Sequence, residues 1–335
     1  MVALRRLVPL TSHVLRLTVV IHLLATGGTI AMQRSAEAGG NVPALDAGQL
    51  VTMAGLGERS NLRVEDWERL PGVHRGPVEL WALRDRVADI VAAPVPPSGL
   101  VITHGTDTLE ETAYLIARTV PPEVPVVLTG AMRTSSDPGW DGPLNLHAAV
   151  EVACSPASRG RGALVVFSSL ILDGRFAAKI HTSALEAFGS PHAPPLGTVD
   201  GAVRYQRPSE PHHLLAPGNL SPRVAIVPLI LGDDGALLDL ARAGFDGVVI
   251  EGFGRGNIPP GALPAIRRWL DDGKPVVLAS RCTAGEVGGE YAFAGGGGEL
   301  LRMGVLAAGR RTPALARMEL VLCLAAGVPY GTGHP

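Results

Sequence analysis

Two short segments of the chain place hydroxyl groups beside glycines where an apolar run stops. Ala25-Thr26-Gly27-Gly28-Thr29 closes one aliphatic run, and Thr103-His104-Gly105-Thr106-Asp107-Thr108 closes another. The carboxyl ends of parallel strands are where open α/β sheets bind ligands, and glycines there let backbone N–H groups come close to a ligand. Either segment alone also fits a threonine helix cap followed by a glycine turn. Their joint occurrence, with one lysine, Lys179, further on, shifts the balance toward chemistry. The 29 basic residues divide into 27 arginines and two lysines, Lys179 and Lys274. Arginine is effectively never deprotonated, whereas lysine can exchange a proton. Lysine is ordinarily a surface residue, but one kept in so arginine-rich a chain is a candidate for proton handling.

These loops need a scaffold that brings strand ends together. Short β-branched runs alternate with helical patterns, which indicates two α/β domains with mostly parallel sheets. Strands are expected at 17–25, 99–103, 124–129 and 163–168, then at 224–229, 247–250 and 275–279. Runs such as VVIHLLA and VPVVLTG are apolar throughout rather than alternating, as in strands buried on both faces. Helices are expected at 109–118, 144–153, 263–270 and 314–325. Thr108 and Glu111 have the spacing of a capping box, and Pro121-Pro122 lies just past that helix.

The 335 residues exceed the roughly 250–300 at which one core stops growing. A Pro-rich aperiodic stretch divides them into an extension (1–16), a larger N-terminal domain (17–206), a linker (207–222) and a smaller C-terminal domain (223–335). With 46% hydrophobic residues and a net charge of −2, the chain is neither disordered nor built for a phosphate backbone, so no nucleic-acid partner is expected. No apolar stretch reaches the ~20 residues of a membrane span. Cys154, Cys282 and Cys323 are odd in number and widely spaced, as free thiols of a reducing cytoplasm would be. His22 reads as a satisfied strand residue, His104 as support for its loop, and His212-His213 as linker residues without metal-ligand spacing.

ATGGTIA (25–31) and HGTDTLEETAY (104–114) resemble the two signature segments of the bacterial-type asparaginase/glutaminase family of amidohydrolases. GAMR (130–133), DGPLNL (141–146), LDGRFAAK (172–179) and GFGRGN (252–257) continue the resemblance in order. It implies hydrolysis of an amino-acid side-chain amide by threonine chemistry, with no metal or cofactor. By position, Thr29 matches the primary nucleophile, and Thr106, Asp107 and Lys179 the second catalytic group. Gly28, Gly105, Ala131 and Asn257 fall at substrate-binding positions. The resemblance further implies a homo-oligomer, a dimer of intimate dimers forming a homotetramer.

The chain departs from the family at three places. No tyrosine lies between Thr29 and Tyr114 to activate the nucleophile, and the flexible-looking 33–41 loop leaves a carboxylate or water as substitute. GVHRG (72–76) stands where many members carry a Ser-Gln pair for the substrate carboxylate, so His74 or Arg75 could bind it or could be plain loop residues. The glutamate that a neighbouring subunit often lends corresponds to Glu286 or Glu290. Hydrolysis of L-asparagine is therefore expected. The alternatives are a catalytically weak amino-acid sensor and an amidase for another substrate, such as L-glutamine or D-asparagine. GFGRGN also invites a dinucleotide fingerprint with Asp272, but Asn257 replaces the third glycine and Pro259-Pro260 follow at once.

Overall fold

The computed structural model describes residues 19–332, so the expected 1–16 extension lies outside the described residues. The N-terminal half runs β1 (Ile21–Ala25), β2 (Met32–Ser35), β3 (Gly40–Pro43), α1 (Ala47–Met53), β4 (Leu62–Asp66), α2 (Pro77–Val91), β5 (Gly99–Thr103) and α3 (Leu109–Thr119). It continues with β6 (Val126–Thr129), α4 (Gly142–Cys154), β7 (Ala163–Phe167), β8 (Leu170–Asp173), β9 (Ala178–Lys179), β10 (Phe188–Gly189), β11 (Gly197–Val199) and β12 (Val203–Tyr205). The C-terminal half runs β13 (Val224–Pro228), α5 (Ala236–Arg242), β14 (Gly247–Gly252), α6 (Leu263–Asp271), β15 (Val276–Ser280), α7 (Gly297–Arg302), β16 (Leu306–Ala307) and α8 (Pro313–Ala326).

Two sheets carry the two domains. The larger has the order β12-β11-β8-β7-β6-β5-β1-β4, and the smaller is β13-β14-β15-β16. From β4 to β7 every pairing is parallel, while β8, β11 and β12 extend the sheet antiparallel. Strands β1, β5, β6 and β7 are buried at every residue, which is why their sequences are uninterrupted apolar runs. One face packs α1 and α4 through Leu50, Leu146 and Val150, and the other packs α2 and α3 through Leu83, Val87 and Ile116.

Helix α3 is shared between domains. Leu109, Ala113 and Ile116 face the large sheet, whereas Tyr114 and Leu115 join the core formed by α8 and the small sheet. The expected capping box at its start does not form, since Thr108 makes no side-chain cap bond. Glu111 lies 3.6 Å from Arg317 on α8 instead, and the Thr108 hydroxyl is buried against Gly72. The helix start is therefore set by packing between domains.

The polar join is equally specific. Arg118 of α3 grips Glu319 of α8 with two bonds, Nε to Oε2 at 3.0 Å and Nη2 to Oε1 at 2.9 Å. Tyr114 Oη donates to the same carboxylate at 2.9 Å and accepts from Arg311 Nε at 2.8 Å. Arg118 also donates to the carbonyls of His213 and Thr332. Both Arg118 and Glu319 are 1% exposed or less. A buried pair adds little over an apolar substitute, but removing one member leaves an uncompensated charge. Glu319→Ala is expected to cost about 3–5 kcal/mol in urea unfolding, and a loss below about 1 kcal/mol would show that the domains do not depend on this pair.

Candidate functional site

Among the parallel strands, the order β4-β1-β5-β6-β7 reverses direction between β1 and β5. Such a switch point opens a crevice at the carboxyl edge of the sheet. The loops that leave β1 and β5 there are the two glycine-threonine segments, with Ala25 and Thr103 paired in register. Thr26 is absorbed by the scaffold, since its N–H and Oγ1 both donate to the Thr103 carbonyl, at 3.1 and 2.8 Å. Gly28 has φ +88, and a Cβ added there would sit 2.4 Å from Gly105 N. A Cβ on Gly105 would in turn lie 3.0 Å from Gly72 N. Three loops thus meet backbone to backbone, which only residues without side chains permit.

Lys179 arrives from β9, held by its pairing with Phe188 of β10. Its Nζ donates to Thr106 Oγ1 at 2.9 Å and to Asp107 Oδ1 at 2.7 Å. Thr106 is 4% exposed, whereas the Asp107 side chain is 66% exposed. So exposed an ion pair adds little stability; its consequence is to aim the lysine. Because Thr106 Oγ1 accepts from Lys179, its own hydrogen is free to point elsewhere. Glu110, which the sequence did not single out, fixes the same strand by accepting the Lys179 backbone N–H at 2.6 Å. Burial raises the Glu110 carboxyl above its usual range, opposed by that N–H and assisted by neighbouring Glu111.

Thr29 begins a short 3-10 turn, Thr29–Ala31, and is partly exposed. Its hydroxyl has no hydrogen-bond partner among the described residues. The 33–41 segment, expected as a flexible loop, is the antiparallel hairpin β2–β3 and contains no tyrosine. Tyr114 is fully buried in the domain join. Ala131 is also fully buried. The DGPLN motif brackets that loop: Asp141 accepts from Met132 N and Arg133 N at 3.0 and 2.9 Å, and Asn145 Nδ2 donates to Gly130 O at 3.1 Å.

Among the described residues, the other candidates make no hydrogen bond to Thr29, Thr106 or Lys179. His74 is exposed on the turn Gly72–His74. The Arg75 side chain is buried and turned inward to Glu68, Thr26 and His104. Asn257 accepts from Gly297 N at 3.3 Å, Glu290 pairs with Arg255, and Glu286 is exposed. None of these three bonds Thr29, Thr106 or Lys179 within the chain. GFGRGN forms a turn closed by a Phe253–Asn257 bridge, and helix α6 starts only at Leu263, so no helix N-terminus backs it. Asp272 caps the end of α6 and pairs with Arg242. His22 bonds Glu65 at 2.9 Å, buried as expected. Among the described residues, no three His, Cys, Asp or Glu side chains are grouped to hold a metal ion, and no helix is long and apolar enough to cross a membrane.

Comparison with known proteins places this geometry in a class. Residues 20–211 match the family model "Asparaginase, N-terminal", and residues 223–330 match "Glutaminase/Asparaginase C-terminal domain". The chain belongs to the asparaginase family of amidohydrolases. It is 37% identical over 312 residues to the probable L-asparaginase of Deinococcus radiodurans, covering 91% of this chain and 92% of that one. It is 35% identical over 310 residues to an L-asparaginase of Bacillus licheniformis, covering 91% and 95%. A crystal structure of a probable cytoplasmic L-asparaginase from Campylobacter jejuni superposes with a TM-score of 0.80 at 30% identity, covering 91% and 94% of the two chains.

The buried Glu110 generates a pH test. Its raised folded-state pKa means that its contribution is full below the unfolded value, near 4.5, and is lost as pH rises through the folded value. Glu110→Gln keeps an oxygen for the Lys179 N–H and cannot ionise. Its melting temperature relative to wild type is expected to rise from pH 4 towards pH 7 in calorimetry, and a difference that falls over that range would contradict the assignment.

Proposed function

We propose that the protein hydrolyses L-asparagine to L-aspartate and ammonia, with Thr29 as nucleophile and Thr106, Lys179 and Asp107 as the proton-transfer group. The observation that carries this is the 2.9 Å bond from Lys179 Nζ to Thr106 Oγ1, on the loop whose glycine touches the Thr29 loop. Thr29 Oγ bonds to the side-chain carbonyl carbon, and its proton leaves to water, the acceptor available at this partly exposed hydroxyl. Backbone N–H groups at Gly28-Thr29 and Gly105-Thr106 face the oxyanion, often the largest catalytic contribution. As the C–N bond breaks, Thr106 gives its proton to the departing nitrogen and takes one from Lys179. Water then attacks the ester, one of its protons returns through Thr106 to Lys179, and as aspartate leaves Thr29 Oγ takes back from water the proton it gave up in the first step. Asp107 holds the lysine in place and lies beside the position of the substrate's α-amino group.

The exposed His74, rather than the inward Arg75, is the side chain available for the α-carboxylate on that loop. We take 17–206 and 223–335 as the domains, 207–222 as their linker, and an assembly of like subunits as the working enzyme. Asn257 and either Glu286 or Glu290 then serve a neighbour's site, consistent with their contacts within one chain. The cytoplasm is the proposed compartment, as described for the Campylobacter protein, although a Haemophilus influenzae relative 34% identical over 91% of this chain is described as periplasmic; cell fractionation decides between them.

Ammonia release from L-Asn, L-Gln and D-Asn by purified protein tests the function. L-Asn is expected to be the best substrate, and both Thr29→Ala and Lys179→Met are expected to lose at least ~10²-fold in turnover. Unchanged turnover in both variants overturns the residue roles. Amino-acid binding without turnover of any of the three amides would mark a sensor instead.

A further inference from the structure

Arg75 turns inward from a loop whose tip is exposed. Its neighbours Val73 and His74 face solvent, yet its own side chain is 2% exposed. The guanidinium runs behind the crevice and touches three loops at once. Nε donates to Glu68 Oε2 at 3.0 Å, in the loop after β4. Nη2 donates to the carbonyl of Thr26, three residues before Thr29. Nη1 lies 3.4 Å from His104 Nε2, two residues before Thr106. A planar fork with five N–H donors can make such a three-way junction, whereas a lysine ammonium cannot span it.

The histidine passes the constraint on. His104 is fully buried, and its Nδ1 lies 2.8 Å from the Gly105 carbonyl. A carbonyl only accepts, so the ring hydrogen sits on Nδ1 and the Nε2 lone pair faces Arg75, with the Thr112 hydroxyl 3.1 Å away and shared with the Thr108 carbonyl at 3.2 Å. The ring thereby fixes the carbonyl of the Gly105-Thr106 peptide, next to the Thr106 side chain. A protonated ring would present a second donor to the guanidinium and break the junction. Burial and then Arg75 keep the ring neutral, lowering its pKa to about 4 against the pull of the Gly105 bond. Arg75 is the only charged group touching the ring among the described residues. Glu68 lies behind Arg75, α3 contributes the neutral Thr112, and the loops after β1 and β6 pack Gly28 and Gly130 against the His104 backbone.

We propose that Arg75 is a positioning residue for amide hydrolysis, clamping the Thr29 and Thr106 loops together through the Thr26 carbonyl and the neutral His104 ring. This rests on the threonine-site assignment above. The test compares kcat, KM and the pH profile of Arg75→Met, Arg75→Lys and Glu68→Gln, per folded molecule, with L-asparagine. Loss of alignment predicts a fall in kcat of about 10–100-fold for Arg75→Met, with KM changed less than about threefold. Its acid limb should move to higher pH, because His104 has lost the adjacent cation. Arg75→Lys should restore the acid limb but not kcat, since it returns the charge without the fork. Glu68→Gln loosens one arm in a more exposed position and should lower kcat less; it decides the matter if Arg75→Met does not fold.

Wild-type kcat in both Arg75→Met and Glu68→Gln overturns the clamp, as does full recovery of kcat by lysine. Loss of thermal stability with kcat and acid limb unchanged assigns Arg75 a merely structural role and overturns it too. Thr29→Ala and Thr106→Ala separate the two levels. If they retain turnover, the threonine site itself fails; if they lose it while Arg75→Met does not, only the clamp fails.

Discussion

The site depends on a contact made without side chains. Gly28 rests on Gly105, and Gly105 on Gly72, so closely that a single added carbon would overlap a backbone nitrogen at 2.4 Å in the first case and crowd one at 3.0 Å in the second. This close approach sets the loops carrying Thr29 and Thr106 side by side at the switch point of the large sheet. The glycines act as spacers of zero width, and Gly28 does so with φ at +88, a backbone conformation that other residues rarely adopt. The proposed catalytic residues Thr29 and Thr106 both hang on that junction.

Around it the structure separates stability from chemistry. The Arg118–Glu319–Tyr114–Arg311 network is dry and multiply bonded, and it locks α3 to the C-terminal domain. Because α3 begins just after Thr106 and Asp107, that lock holds the site's helix from behind. The Lys179–Asp107 pair, by contrast, is half open to water and gains little as an ion pair. Its value lies in pointing one of only two lysines at a threonine hydroxyl. The other, Lys274, donates to the carbonyls of Arg242 and Phe245 at the end of α5, an ordinary structural use.

Much of this was legible in the sequence because burial writes a simple pattern. Strands buried on both faces are continuous apolar runs, and 99–103 matches β5 residue for residue, while most other expected strands differ by one or two residues at an end. What escaped is half-buried or set by distant partners. Strand β4, with the sequence LRVED, is an edge strand with charged residues and gives no apolar run. The capping box failed because Glu111 is drawn to Arg317, some two hundred residues away in sequence. Glu110 carried no local signal and Arg75 was read only as a possible carboxylate binder, since each contacts a backbone group brought to it by the fold. The candidate residues Thr106, Asp107 and Lys179 were readable from residue types and order, and the fold brings their side chains within hydrogen-bond reach of one another.

The central claim is that Thr29, rather than Thr106, bonds to the substrate. Acid quenching during turnover of L-asparagine, followed by peptide mass mapping, tests it directly. The account predicts a β-aspartyl ester on the peptide at Thr29, enriched in Lys179→Met where water attack is slowed. An ester on Thr106 instead would contradict it.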